Sequence, residues 1–367
     1  MELEPSSALH PQLGAPTRAE VFNTCRPRLF GIAYRMLGSR AEAEDILQDA
    51  YVRWHEGAAG TARMAARAGL NAGAGATTNL PTQAQASAPA NTSLDASAAA
   101  NAAASAETAG EGHAESGPEA RAEIRSPEAW LITIVTRLAI DRLRALKTER
   151  EHYPGFWLPE PLVTSEPATP EGMLEFSGDV STAFLVVLER LGAEERAAFL
   201  LREVFDVDYP EIARVLGKSE AACRQTVHRA KGRVRQARPR FEVSRAEHRR
   251  LLERFVVAAR GGDRQQLMAL FAADARFTGD GGGKAVSVTR VLEGADRLAR
   301  FFHVIARQYG PDLTFQIVEI NGVPGLLRFH QGKLDSAHTV VTDGQRIIDI
   351  YSVRNPDKLA GIMLSQA

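Results

Sequence analysis

The sequence predicts a multidomain protein: two all-α domains, the second carrying a helix-turn-helix, followed by an α+β domain. Three observations predict it. Apolar residues recur at helical spacing in three blocks, Ala19 to Glu56, Ser126 to Arg150 and Asp179 to Arg240. Within the last block a short helix, a glycine and a longer basic helix follow one another, the helix-turn-helix order. After His248 the helical period gives way to alternating runs broken by turn residues.

Bulk properties narrow the class. The 367 residues carry 44 Lys+Arg against 45 Asp+Glu, a net charge of −1, so overall charge names no partner. The two cysteines, Cys25 and Cys223, match no metal-ligand or redox spacing, which argues against a disulfide scaffold, a zinc ribbon or a reactive dithiol and predicts a reducing, cytoplasmic compartment. No apolar run reaches the roughly 18 to 20 residues of a membrane span, and Met1 to Pro16 lacks an export signal's basic start and apolar core. Residues 57–125 hold 25 alanines, no aromatic and five large aliphatics, too little burial to offset the entropy of ordering, so they predict a disordered insertion. Residues 1–18 predict a disordered N-terminus. Residues 151–178, with Pro154, Pro159, Pro161, Pro167 and Pro170, predict an extended linker whose Phe156, Trp157 and Leu158 suit docking on a surface.

The helical blocks follow in order. Leu29, Ile32, Ala33 and Met36 give one buried face. Ser39 and Glu42 have capping-box spacing and open a second helix with the stripe Leu47, Ala50, Tyr51 and Trp54, leaving Asp45, Gln48, Asp49 and Arg53 as an acidic and amide patch. Ser126-Pro127-Glu128 starts the next helix with a cap, a proline at the first position and an acid in the first turn. Its stripe of Leu131, Ile134, Val135 and Leu138 leaves Trp130, Thr133, Arg137, Asp141 and Arg144 on another edge, a surface on which bases stack and phosphates pair. In the third block Asp208 and Glu211 repeat the capping spacing ahead of Pro210 to Leu216, Gly217 breaks the helix, and Ser219 caps another carrying Arg224, Gln225, His228, Arg229, Lys231, Arg233 and Arg235. Tyr209 to Arg240 holds nine Lys/Arg against two Glu, the electrostatic footprint of a nucleic-acid-binding face.

Three stretches, EAEDILQDAYVRW from Glu42, SPEAWLITIVTRLAIDRLR from Ser126 and DYPEIARVLGKSEAACRQTVHRAKGRVR from Asp208, resemble in this order an RNA polymerase sigma factor of the extracytoplasmic-function type. The resemblance implies a region 2 domain over residues 19–150, interrupted by the 57–125 insertion, and a region 4 domain over 179–240. It implies that Asp45, Gln48 and Asp49 bind the clamp coiled coil of the largest subunit of core RNA polymerase. It implies that Trp130, Thr133, Arg137, Asp141 and Arg144 capture the melted minus-10 element. The helix capped by Ser219 resembles the minus-35 reader, with Arg224 and Gln225 on base edges and His228, Arg229 and Lys231 on phosphates. One departure stands out: 71 residues separate Trp54 from Ser126, where the family has a short segment with a minus-10 specificity loop. Loop-closure entropy, growing by only about 0.6 kcal/mol per doubling of length, does not forbid it.

From His248 onward, a helix through Leu251, Leu252, Phe255 and Val256 meets the Gly261-Gly262 break. A short helix (Leu267, Leu270, Phe271) and a longer one (Leu298, Phe301, Phe302, Ile305) precede alternating runs at Leu313 to Ile320, Leu326 to His330 and Val340 to Ile350, the last with Asp343-Gly344 as a hairpin turn. This order over residues 245–367 resembles a SnoaL-like domain. WLPEP (Trp157 to Pro161), GDGGGK (Gly279 to Lys284) and NPDKL (Asn355 to Leu359) are similar to motifs of the sigma-factor subgroup in which such a domain is fused after region 4 and regulates in cis. Implied in that regulation are Trp157, Leu158, Pro159, Asp280, Gly281, Gly282, Gly283, Lys284, Asn355, Pro356, Asp357 and Lys358, with the glycine triplet and lysine as a mobile, cationic contact loop. The implied partners are core RNA polymerase, promoter DNA and the chain's own sigma domains, with no cofactor, metal or membrane. Two rivals remain: an enzyme using Asp274, Asp280, His303, His330 or His338 in the SnoaL-like cone, and a free-standing helix-turn-helix regulator whose cone senses a ligand.

Overall fold

The structure, a computed structural model, describes residues 16–56, 126–164, 180–237 and 243–362. The predicted N-terminal tail up to residue 15, the 57–125 insertion and linker residues 165–178 lie outside them. The described residues up to His55 and from Ser126 onward cluster as one compact unit, the first.

In the first unit, α1 (Arg18–Leu37) and α2 (Arg40–Glu56) pack with α3 (Pro127–Glu151). Their shared core is the apolar stripe legible in sequence: Leu29, Ile32, Ala33 and Met36 of α1, Leu47 and Trp54 of α2, Leu131, Ile134 and Val135 of α3. Ser126 caps α3 by accepting from Ala129 N at 3.3 Å. The helices expected to form region 4 follow as α4 (Thr182–Leu188), α5 (Ala193–Glu203), α6 (Tyr209–Leu216) and α7 (Glu220–Ala237). Gly217, at φ +64°, makes the left-handed turn that lets α7 leave α6. The capping box expected at Asp208 is not formed: its side chain makes no cap hydrogen bond, and one Glu211 carboxylate oxygen is buried without a partner.

The C-terminal domain has α8 (Arg245–Gly261), α9 (Arg264–Leu270) and α10 (Ala295–Tyr309), the short α11 (Pro356–Leu359), and a seven-stranded sheet. The strands are β1 (Val163–Thr164), β2 (Phe271–Asp280), β3 (Leu292–Glu293), β4 (Leu313–Ile320), β5 (Val323–His330), β6 (Lys333–Thr342) and β7 (Ile347–Val353). Their order is β1-β4-β5-β6-β7-β2-β3, antiparallel except for the parallel β2/β7 pair. Register shifts interrupt β2/β7, β5/β6 and β6/β7, the kind of irregularity at which a sheet bends.

Phe271, expected at the end of the short helix, starts β2 instead. The extended linker is also more than a tether: Val163 pairs with Ile320, so the segment between regions 2 and 4 supplies an edge strand to the sheet that follows both. The sheet therefore buries two faces. Leu326, Val340, Ile350 and Phe277 pack under α8, α9 and α10 with Phe255 and Phe302. On the opposite face Ile320, Leu327, Ala337 and Val353 pack with Leu158 and Val163 of the linker and Val186 of α4.

Candidate functional site: exposed helix faces and the domain junction

Asp45, Gln48 and Asp49 are exposed on α2, opposite buried Ala43, Ile46, Leu47 and Ala50. Tyr51, placed in the buried stripe from its spacing, is 37% exposed, and Val52 beside it is 52% exposed. The ring of Tyr51 lies between Phe22 and His55, at 4.9 and 4.2 Å. Two exposed apolar side chains thus adjoin the acidic patch.

The edge of α3 is placed differently from a free nucleic-acid surface. Trp130 is half-buried against Trp54, with ring centroids 5.4 Å apart, and Thr133 donates to Ala129 O within its own helix at 2.8 Å. Arg137 donates to the carbonyls of Val215 (2.9 Å) and Arg214 (2.8 Å) at the C-terminus of α6, where a cation complements the helix dipole. Arg144 pairs with Glu194 of α5 at 2.5 Å and with exposed Asp141 at 3.5 Å. Lys218, in the turn of the helix-turn-helix, takes the other Glu194 oxygen. Both edge arginines are engaged with region 4.

On α7, Ser219 accepts from Ala222 N at 3.3 Å, the cap expected of it. Gln225, His228 and Arg229 are exposed. Arg224 is also exposed, paired with Glu220 at 2.6 Å and lying 4.9 Å from the Tyr209 ring. Lys231 is half-buried and paired with Glu203 of α5 at 2.5 Å, so it faces its own domain's scaffold and not the outer surface of α7.

Where the three domains meet, WLPEP, GDGGGK and NPDKL converge. Asp280, 0% exposed, accepts from Tyr153 Oη (2.6 Å), Leu158 N (2.9 Å), Gly282 N (3.0 Å) and Lys358 Nζ (2.6 Å). Lys358 also donates to Leu158 O at 2.6 Å and lies 4.3 Å from the Trp157 ring centroid. Burial brings its ammonium down to about 8, although Asp280 works in the opposite direction. Arg150 of α3 stacks on the same indole at 3.5 Å. The glycine triplet, expected to be a mobile loop, is tied down: Lys284 pairs with Asp357 at 2.6 Å, and a side chain on Gly282 (φ +59°) would overlap Asn355.

Region 2 is gripped from both directions. Glu160 accepts from Arg40 N (2.8 Å) and Ser39 Oγ (3.1 Å), so a linker carboxylate serves the N-terminus of α2. Ser39 accepts weakly from Glu42 N at 3.4 Å, but Glu42 does not return to complete the box. Its carboxylate holds Arg142 of α3 through both oxygens, at 2.5 and 2.7 Å. On the α1 side of the same turn, Arg150 and Arg196 donate to Leu37 O (2.6 Å) and Met36 O (2.7 Å), the last carbonyls of α1, while sharing Glu189. Gly38 between the helices has no room for a side chain, since a Cβ there would lie 2.6 Å from Trp157. A cavity of about 390 Å³ sits at this junction, lined in part by Glu42, Arg150, Tyr153, Trp157, Glu160 and Lys358.

One residue that no sequence motif marks joins all three domains. Asn321, 1% exposed at φ +52°, opens the Asn321-Gly322 turn between β4 and β5. Its amide donates to Tyr34 Oη of α1 (2.6 Å) and to Val180 O ahead of α4 (3.0 Å), and its Oδ1 accepts from Leu162 N of the linker (2.8 Å). Tyr34 in turn donates to Glu160 O at 2.7 Å. The Asn-Gly pair between alternating runs signals a hairpin, but nothing local signals those three acceptors and donors.

Comparison with known proteins matches the family models "Sigma-70 region 2" over residues 21–62 and "Sigma-70, region 4" over residues 181–234. The ECF RNA polymerase sigma factor SigJ of Mycobacterium tuberculosis (strain ATCC 25618 / H37Rv) is 31% identical over 358 residues, 94% of each chain. The chain belongs to the ECF RNA polymerase sigma factors. A probable ECF sigma factor SigI of the same species (strain CDC 1551 / Oshkosh) is 28% identical over 241 residues, 65% of this chain and 80% of that one. The crystal structure of M. tuberculosis SigJ superposes with a TM-score of 0.64 at 29% identity, covering 95% of this chain and all (100%) of that one, so the sigma domains and the C-terminal sheet domain are shared.

In this ECF sigma factor four of the five groups considered for catalysis, Asp280, His303, His330 and His338, have structural partners. Asp280 belongs to the junction, His303 Nδ1 faces Gly262 O at 2.6 Å, and His330 packs edge-on to Tyr309 at 4.9 Å. His338 Nε2 shares a hydrogen bond with buried Ser336 Oγ at 2.9 Å, and Asp274 is exposed. No helix among the described residues is long and apolar enough to cross a membrane.

Proposed function

We propose that the chain docks on core RNA polymerase through Asp45, Gln48 and Asp49 of α2, takes melted minus-10 DNA along α3 at Trp130, Thr133, Arg137, Asp141 and Arg144, and reads minus-35 DNA with α7, chiefly through Arg224, Gln225, His228 and Arg229. The C-terminal domain regulates these steps in cis by holding region 2 against region 4. The observation that carries this reading is the engagement of Arg137 with the α6 carbonyls: a guanidinium spent on Arg214 O and Val215 O is withheld from phosphate. This arrangement is then a resting one, and initiation requires α3 to part from α5 and α6. WLPEP, GDGGGK and NPDKL act as the latch, with Asp280 as its buried centre.

Glu194 tests it, because it holds Arg144 and Lys218 and touches neither polymerase nor DNA in this scheme. Glu194→Lys replaces attraction with repulsion and should strengthen binding of single-stranded minus-10 DNA by the full chain several-fold, and raise transcription with core polymerase. Unchanged binding by a folded variant would remove the resting-state reading. Arg224→Ala should lower transcription from the cognate promoter while core binding stays as it was.

A further inference from the structure

The helical layer of the C-terminal domain carries a charge distribution that the latch does not use. Helices α8, α9 and α10 contain nine arginines against three carboxylates, Glu247, Glu253 and Asp296, in a chain whose net charge is −1. Their inner faces are spent on the core, with Leu251, Leu252, Phe255, Leu298 and Phe302 buried against the sheet. On the outer face of α8, Arg250, Arg254 and Val257 fall at i, i+4 and i+7, one stripe; on α10, Arg297, Arg300, Val304 and Arg307 fall at i, i+3, i+7 and i+10, another. All are exposed, and the neutral members, Val257 at 67% and Val304 at 52%, bring no negative charge. Arg249 is neutralised by Glu253, and Arg264 and Arg300 share Asp296. Among the described residues Arg250, Arg254, Arg297 and Arg307 make no ion pair.

Covalent reach supplies the second observation. Ala237 ends α7 and Arg245 begins α8, eight residues on, so the two helices' facing ends are at most roughly 29 Å apart. That is about eight base pairs of duplex axis at 3.4 Å each. The first arginine of the α8 stripe, Arg250, five residues further on, is thus tethered within roughly 37 Å of the end of α7. Arg297 to Arg307 spans ~15 Å along α10, about four base pairs of one strand.

We propose that the outer face of α8 and α10 binds the phosphate backbone of the duplex flanking the minus-35 element, so that the C-terminal domain is itself a DNA-contacting module. The interaction is sequence-independent: guanidinium groups pair with phosphate oxygens and no side chain here is placed to read a base. It adds affinity and salt dependence to promoter binding, and leaves sequence choice to α7 and α3.

The test is binding of the full chain to a duplex of arbitrary sequence, titrated by fluorescence anisotropy across a salt series, with core-polymerase binding measured in parallel. Arg250→Glu combined with Arg254→Glu, and separately Arg297→Glu combined with Arg307→Glu, should each weaken duplex binding by about tenfold or more at low salt. Each pair should also lower the slope of log affinity against log salt by roughly 1 for every phosphate that is no longer neutralised. The corresponding Arg→Lys pairs should restore both, and Lys333→Glu, an exposed charge change at the start of β6, should change neither. Because the four arginines are exposed, a preserved thermal midpoint is expected; should a Glu pair fail to fold, the Arg→Gln pairs carry the same comparison. Unchanged affinity and slope in folded charge variants would overturn the proposal, as would abolished polymerase binding with duplex binding intact, which would assign the face to the polymerase instead.

Discussion

His248 and His338 are buried in the C-terminal domain, and burial holds both rings neutral, His248 down to about 4 and His338 to about 3 from an ordinary 6.5. Between pH 6.5 and about 4 the unfolded chain binds protons at these sites that the folded chain refuses. Stability therefore falls as pH drops through that window, and the thermal midpoint of the C-terminal domain should fall with it. His248 Nε2 has no partner, so His248→Leu should flatten part of this dependence and raise stability by about 1 kcal/mol in chemical denaturation. Asn321 makes a contrasting case. Asn321→Ala strands Leu162 N and Val180 O and should cost about 2 kcal/mol, whereas Tyr34→Phe, which removes one hydroxyl and spares the turn, should cost about 1. Equal losses in the two variants would show that the bond between Asn321 and the Tyr34 hydroxyl, not the bonds to Leu162 and Val180 or the turn, carries the effect. At this scale the sequence was least informative: the partners of Asn321 lie 141 to 287 positions away, beyond any periodic signal.

Among the elements, helices were legible because burial repeats with their period. The stripes of α1 and α3 and the break at Gly217 could be placed from spacing alone, and so could the exposed triad of α2. What spacing could not say is which exposed face meets a neighbouring domain. Arg137 and Arg144 have the spacing of a solvent-facing edge, and they are outside the core, yet their charges go to α6 and α5. The capping box expected at Ser39 is incomplete for a related reason: Glu42 has a stronger partner in Arg142 than in the Ser39 backbone amide, and a bidentate charged pair outweighs that amide. The linker shows the same limit from the other side. Its prolines correctly excluded helix, but its two-residue strand depends on a hairpin in the last third of the chain. Trp157 is the side chain that fixes this segment, between Arg150 and Lys358 and against Gly38. Trp157→Ala should destabilise the junction by roughly 3 kcal/mol and speed proteolysis of the linker. A linker as protected as in the parent chain would shift that role to Leu158 and Val163.

For the whole molecule, the domains form an interlocked set in which no piece is removed cleanly. Cutting the chain after Arg240 deletes β4, so β1 loses its partner strand, Leu158 loses its apolar cover and Tyr153 loses Asp280. The truncated protein should therefore show a larger radius of gyration in solution scattering, a linker open to protease and tighter binding of single-stranded minus-10 DNA. If the arginine face binds duplex, the same protein should also show weaker duplex binding, so the two activities move in opposite directions on one deletion. Domain order and class were readable from composition shifts and motif order. The closed arrangement was not, because it is written in pairs of residues drawn from different domains.

The threading of β1 into a sheet completed far downstream also has a meaning in time. Val163 leaves the ribosome 157 residues ahead of Ile320, the residue it pairs with. At 5–20 residues per second that is a delay of roughly 8–30 s. In its second half, while residues 241–320 are being made, regions 2 and 4 are complete but the strand, amide and carboxylate at the junction are not yet all in place. If the junction is a latch, a nascent chain is an unlatched sigma factor before it is a latched one, and its first opportunity to engage polymerase would come during its own synthesis.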